Sequence, residues 1–170
     1  MNKLKILTYL LNSGYRLIEL HGINEQGYCT CYKGSLCSCS GKHPVNSGWQ
    51  DKVIKSEDEL KSILERRPNA NFGVVTGNGL VVIDIDPRHG GLESLEKIKD
   101  KLLIPEMTVK TGGGGYHFYY RTETPTGNKV NVLPGIDIRG EGGFVVAPGS
   151  KHKSGNYYVI EEMKGDTYAE

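Results

Sequence analysis

No apolar run in the 170-residue chain approaches the roughly 20 residues needed to cross a bilayer, which argues against a membrane-spanning protein. An excess of charge of either sign is also lacking, with 21 Lys and Arg against 20 Asp and Glu. Affinity for a polyanion must then come from local clusters or bound cations, and a polybasic tail that coats nucleic acid finds no support. Residues 1–20 carry Lys3 and Lys5 but neither an unbroken apolar stretch nor a small-residue cleavage site. No signal peptide is read there, and the expected compartment is the cytoplasm. Two common nucleotide-binding signatures are missing as well. Gly41-Lys42 runs into His43, which breaks the Walker pattern, and no G-x-G-x-x-G joins a strand to a helix.

What is present is concentrated in short segments. Four cysteines, Cys29, Cys31, Cys37 and Cys39, fall within eleven residues. In a chain read as cytoplasmic they suggest thiolates kept reduced around a metal rather than a disulfide framework. The C-x-C-x5-C-x-C spacing lacks the usual C-x-x-C pair but offers four compact zinc donors, with His43 able to replace one of them. The surrounding loop, 22–44, is too rich in Gly, Ser and Cys to be held by apolar burial alone, and a metal would tether it. The alternative is a disordered loop with exposed thiols. Gly41-Lys42-His43-Pro44 and Trp49 add a basic, aromatic-flanked segment suited to a phosphate or a base. Glycine, at 23 residues, is about twice its usual share of roughly 7% and gathers between apolar runs.

The length suits a single domain. Leu4, Ile6, Leu7, Leu10 and Leu11 predict a helix over 3–13, followed by a strand over 15–20. Ser56 with Glu59 is a capping box opening a helix over 57–67 that Pro68 ends. Strands over 72–76 and 80–86, joined by Gly77-Asn78-Gly79, predict a hairpin. A helix over 91–103 and strands over 108–110, 116–121, 136–139, 143–147 and 157–160 complete the pattern. Residues 161–170 read as a frayed end, and the lack of a closing element after Ile160 favours a piece of a longer chain. The class is α+β, mixed, with hairpins and few long crossovers.

The densest chemistry lies in Leu80-Val81-Val82-Ile83-Asp84-Ile85-Asp86-Pro87, where period two puts both carboxylates on one face and turns Ile83 and Ile85 to the core. Two adjacent anions repel, and a divalent cation with oxygen ligands, Mg²⁺ or Mn²⁺, relieves them. The alternative is a strand that ends in solvent. Gly135-Ile136-Asp137-Ile138-Arg139 embeds a further carboxylate, either a third ligand or a partner of Arg139. The run Gly112 to Gly115 exposes amides of Gly113, Gly114 and Gly115 that suit a phosphate, and it feeds a strand with His117 and Tyr119 on one face. His117 can donate to a phosphate oxygen or transfer a proton, or it is merely a hydrogen-bonded strand residue.

Together these segments, with Gly142-Gly143-Phe144-Val145-Val146-Ala147-Pro148-Gly149-Ser150 and the upstream Gly41-Lys42-His43-Pro44 and Trp49, resemble the bifunctional DNA primase/polymerase domain of the archaeo-eukaryotic primase superfamily over residues 10–160. The resemblance implies a catalytic sheet similar to an RNA-recognition motif, about 71–160, joined to a smaller N-terminal α/β module, about 1–70, that carries the Cys-rich loop 27–44. It implies template-directed nucleotidyl transfer with two divalent metals on Asp84, Asp86 and Asp137. His117 is then the contact to the nucleotide's phosphates, Lys110 and Arg139 are further phosphate ligands, and Ser150 and Lys151 follow the template or primer backbone. The implied partners are a DNA template and primer, dNTPs or NTPs, and a helicase or further domains of the same polypeptide; a plasmid, phage or mobile element fits. Extension is expected to be more robust than priming from nothing. Two rivals from other classes are a metal-dependent nuclease, which shortens DNA without nucleotide, and a catalytically silent zinc-bearing module that stacks single strands on Trp49 and tyrosines. A D-x-D glycosyltransferase has the least support.

Overall fold

The computed structural model describes residues 2–164, with three α-helices and nine strands in two sheets, an α+β architecture. The chain divides into two compact units, Met1–Val75 with Val146–Tyr158, and Thr76–Val145 with Val159–Glu170. Among the described residues no helix is long and apolar enough to cross a membrane.

The first unit opens with α1 (Lys3–Asn12), whose start is capped by the Asn2 side chain accepting from the Leu4 N–H at 3.0 Å. Ile6, Leu7 and Leu10, at helical spacing, are its buried residues. The strand β1 (Leu17–Leu20) pairs antiparallel with β2 (Asn71–Val75), from Leu17 opposite Val74 to Leu20 opposite Asn71. Between them, α2 (Glu57–Arg66) buries Leu60 and Ile63. Ser56 accepts from the Glu59 N–H as the capping box requires, but the Glu59 carboxylate reaches the Lys55 N–H, one residue before the cap. After its excursion through the second unit the chain returns to β2, where Ala147 donates to the Phe72 carbonyl. The buried Asn71 side chain ties three segments together. Its Nδ2 donates to the carbonyls of Gly41 and Lys151, and its Oδ1 accepts from the Lys151 N–H.

The second unit is an antiparallel sheet of β3 (Leu80–Ile85), β4 (Met107–Lys110), β5 (Tyr116–Arg121), β6 (Lys129–Leu133), β7 (Ile136–Arg139) and β9 (Val159–Met163), in the order β6-β7-β3-β5-β4-β9. The helix α3 (Gly91–Ile98) follows β3, and Ser94 donates to the Pro134 carbonyl ahead of β7. The short strand β8 (Phe144–Val146) lies beside β2 in the three-stranded sheet.

Several expectations need correction. The Gly77 to Leu80 turn forms, with reciprocal backbone hydrogen bonds and positive φ at Asn78 and Gly79, yet the strands it joins belong to different sheets. Thr76 donates its N–H to Gly143 and its hydroxyl to Gly140, so the chain leaves the hairpin path one residue before the turn. A local turn signal specifies the bend, whereas strand partners are chosen by long-range pairing. The helix expected over 91–103 stops at Ile98 and tightens into a 3-10 turn, Lys99–Lys101. The strand β6 was not anticipated, although Lys129-Val130-Asn131-Val132 alternate polar and apolar residues; all five of its residues are exposed. Residues 161–163, read as a frayed end, are an edge strand; residues 165–170 lie outside the described residues. Finally, Ile85 is buried as expected but Ile83 is only half-buried. The face carrying Asp84 also holds Val82, Tyr119, Met107 and Val109, each with no exposed area, so both faces of β3 are core-like.

Candidate functional site

The order β7-β3-β5 brings residues 53 positions apart in sequence into one row. Asp84 on β3 lies directly opposite His117 on β5 and directly opposite Asp137 on β7. Antiparallel partners in direct register point to the same face, so the three side chains line one strip across the sheet. The His117 Nε2 lies 3.5 Å from Asp84 Oδ1, with the ring almost fully buried and the carboxylate 28% exposed. Asp86 extends the strip. Its backbone is extended (φ −99°, ψ 109°) and its N–H donates to the Gly135 carbonyl, so the β3–β7 ladder runs one step past Ile85 and period two returns Asp86 to the Asp84 face. The backbone approach is close there: a Cβ on Gly135, at φ +68°, would stand 2.6 Å from the Asp86 carbonyl oxygen.

Each outer carboxylate meets its own counter-ion. Arg139 donates from Nη2 to Asp137 Oδ2 at 2.7 Å, and the Asn131 N–H reaches Oδ1 at 2.8 Å. Asp137 thus forms the Arg139 ion pair that the sequence offered as one of two alternatives. Asp86 accepts from the backbone and guanidinium of Arg88 and lies 3.0 Å from His89 Nδ1. The hydrogen bonds from Arg88 hold its carboxyl far below the usual range despite partial burial. The folded pKa is depressed, so this interaction contributes stability above the unfolded pKa and loses it as pH falls toward the folded one. Arg88, His89 and Asn131 escaped the sequence reading. The first two stand in the run Asp86-Pro87-Arg88-His89, where a donor immediately after two acidic residues was the available signal.

Three carboxylates on one face are hard oxygen donors of the kind Mg²⁺ or Mn²⁺ takes, so the donor chemistry suits such an ion, although the outer two are turned onto Arg139 and Arg88 and, among the described residues, the donor atoms gathered within 4.8 Å of one another are those of Cys29, Cys31, Cys37 and His43. The glycine run is less free than expected. Gly114 donates to the Thr111 carbonyl and Gly115 to the Thr111 hydroxyl, so two of the three amides close the β4–β5 hairpin, while Gly113 sits exposed at its tip. Gly115 has a packing duty, since a Cβ there would fall 1.9 Å from the Ile85 carbonyl oxygen. Gly115→Ala should therefore lower stability by about 2 kcal/mol or more, read as a shift of the urea midpoint. Lys110 is exposed, 3.7 Å from the Glu161 carboxylate.

In the first unit, ligand atoms of Cys29, Cys31, Cys37 and His43 all lie within 4.8 Å of one another. His43 Nε2 is 3.4 Å from Cys29 Sγ and 3.5 Å from Cys37 Sγ. Cys39 is exposed and lies outside that set, 4.0 Å from Cys37, so the fourth donor is His43. The loop brings them together by short local links: Ile23 bridges to Cys29, Leu20 bridges to Pro44, and the His21 N–H donates to the His43 carbonyl. Burial pushes the Cys29 thiol up to about 11. Three thiols and an imidazole make a donor set of the kind that suits zinc. Lys42 and Trp49 are half-buried nearby in sequence. Ser150 is buried, its hydroxyl exchanging hydrogen bonds with the Phe72 backbone, so it presents nothing to a nucleic acid; the Lys151 backbone is bound by Asn71.

The family model described as bifunctional DNA primase/polymerase, N-terminal, matches residues 6–169. The chain belongs to this family. No curated protein matches it. For a primase/polymerase domain the class of activity is DNA priming and polymerisation, with DNA, nucleotides and divalent metal as what it handles.

Proposed function

We propose that the protein extends a nucleic-acid primer by template-directed nucleotidyl transfer, in replication of a plasmid, phage or other mobile element. The observation that carries this reading is the in-register row of Asp137, Asp84 and His117, prolonged by Asp86, in a chain matched to the primase/polymerase family over almost its whole length. Asp84, Asp86 and Asp137 would hold two divalent cations, Mg²⁺ or Mn²⁺. When bound, such ions lower the pKa of the primer 3′-hydroxyl and neutralise charge on the leaving pyrophosphate. The chain's own residues orient the reactants. His117, buried beside Asp84, donates to a phosphate oxygen of the incoming nucleotide, and Arg139, Lys110 and the exposed Gly113 supply further positive or N–H character. Lys42, Trp49 and Lys151 are the candidates for contact with template or primer, and Cys29, Cys31, Cys37 and His43 would hold a structural zinc. A helicase or further domains would complete a replication assembly.

The test is extension of a labelled DNA primer on a template with dNTPs and Mg²⁺ or Mn²⁺. Lengthened, metal-dependent products are expected. Shortened DNA in the absence of nucleotide would overturn the reading in favour of a nuclease, and neither lengthening nor nucleotide binding would favour a silent single-strand-binding module.

A further inference from the structure

The carboxylate of Asp86 is more heavily engaged than any other in the row. As the cap of the 3-10 turn Pro87–His89 it accepts the Arg88 N–H on Oδ1 at 3.0 Å. The Arg88 side chain then folds back onto the same group, Nε to Oδ1 at 3.0 Å and Nη2 to Oδ2 at 2.7 Å, and His89 Nδ1 lies 3.0 Å from Oδ2. This is a two-pronged guanidinium–carboxylate pair between residues two apart. The turn that creates it is built firmly: the Gly91 N–H donates to the Asp86 carbonyl, the Asp86 N–H to Gly135, and Gly90 takes φ +83°.

The Arg88 side chain is 55% exposed, so solvent screening discounts what the pair contributes to stability. Its chemistry points elsewhere. The guanidinium covers both oxygens of a carboxylate suited to a divalent cation, so a cation arriving alone must displace Arg88 and leave that charge beside its own. If the cation arrives with a triphosphate, the displaced fork finds a new anion of the right geometry, since a planar guanidinium suits phosphate oxygens as well as carboxylate oxygens.

We infer that Arg88 is a nucleotide-binding residue held in reserve: it neutralises Asp86 in the free protein and passes its guanidinium to the triphosphate when cation and nucleotide bind together. This deepens the nucleotidyl-transfer reading and rests on it. The consequence is a coupling between ligands. Arg88 opposes the metal alone and favours the metal with nucleotide, so cation and nucleotide raise each other's affinity.

The experiment measures binding, not turnover. Free Mn²⁺ is counted by electron paramagnetic resonance during titration of the whole chain without nucleotide, and dATP binding is followed calorimetrically at saturating Mn²⁺ without DNA. Arg88→Ala should bind Mn²⁺ alone about threefold more tightly, with the competing charge gone. It should bind dATP about tenfold more weakly, having lost a charge-assisted pair. Arg88→Lys, which keeps the charge but not the fork, should restore the weak Mn²⁺ binding of the wild type and only part of the dATP affinity. A merely structural role would weaken both ligands in parallel in Arg88→Ala; that result, or no change in either, overturns the inference and leaves the nucleotidyl-transfer reading intact. A wild-type chain that binds neither Mn²⁺ nor dATP overturns both.

Discussion

Asp84→Asn protein should melt at or slightly above the wild-type temperature and extend a primer at least about 10²- to 10³-fold more slowly, the size of loss expected when an electrostatic element of a transfer site is removed. The two halves of this expectation come from one geometry. Asp84 stands directly across from Asp137, and like charges in directly opposed positions destabilise a sheet. Replacing one by an amide of the same shape removes that repulsion, and the flanking Ile83 and Ile85 are untouched. The His117 contact at 3.5 Å survives in a different hydrogen-bond sense, because the ring nitrogen can accept from the amide. What is lost is the charge at the centre of the acidic row, for which a neutral amide oxygen is a poor substitute as a donor to the proposed cation. Gel analysis of primer extension beside a thermal melt checks both halves at once. A mutant that extends at the wild-type rate would move the chemistry away from this strip; one that is inactive because it has unfolded would show itself in the melt.

Protein purified without chelator should carry zinc at about one ion per chain, and the pattern of its loss should follow geometry rather than cysteine count. Cys37→Ser and His43→Ala should lose the metal, whereas Cys39→Ser should keep it, since Cys39 lies outside the four-donor cluster. Removal of the ion should cost the first unit several kcal/mol of stability, on the order of the contribution expected of a structural zinc after its folding linkage. The reason is mechanical. The loop 22–44 has little apolar burial, and its connection to β2 runs through Gly41, whose carbonyl is held by the buried Asn71 amide. When Cys29, Cys31, Cys37 and His43 part, that anchor loses its counterpart. Elemental analysis with a melting curve before and after a strong chelator decides the matter. Zinc retained in His43→Ala and lost in Cys39→Ser would restore the four-cysteine assignment.

The elements with strong local signals were read closely. The helix cap at Ser56, the strand over Tyr116–Arg121 and the strand over Ile136–Arg139 all follow from spacing and capping chemistry available within a few residues, whereas the Asn2 cap of the first helix was not read. The same-face relation of Asp84 and Asp86 followed from period two alone. Other features had no local signature. The alternation of Lys129-Val130-Asn131-Val132 does not say that neither face of that strand is buried, and nothing near Gly77-Asn78-Gly79 shows that the strands on either side leave for different sheets. The amides of Gly114 and Gly115 looked available until Thr111 was found to accept both.

The sequence by itself determined the residue types of the cysteine loop and of the acidic row, the α+β class and the strands that carry Asp84 and Asp137, because residue chemistry and short-range periodicity are written in adjacent positions. The tertiary structure alone decided that Asp84 lies between Asp137 and His117 and that His43 and not Cys39 completes the thiol cluster, whereas the Arg88 pair with Asp86 joins residues two apart. The first depends on pairings between strands far apart in the chain, and the second on how the loop closes on itself through the Ile23–Cys29 and Leu20–Pro44 bridges. Such contacts form only when the burial of apolar faces outweighs the entropy of closing long loops, and no window of neighbouring residues records which of them prevail.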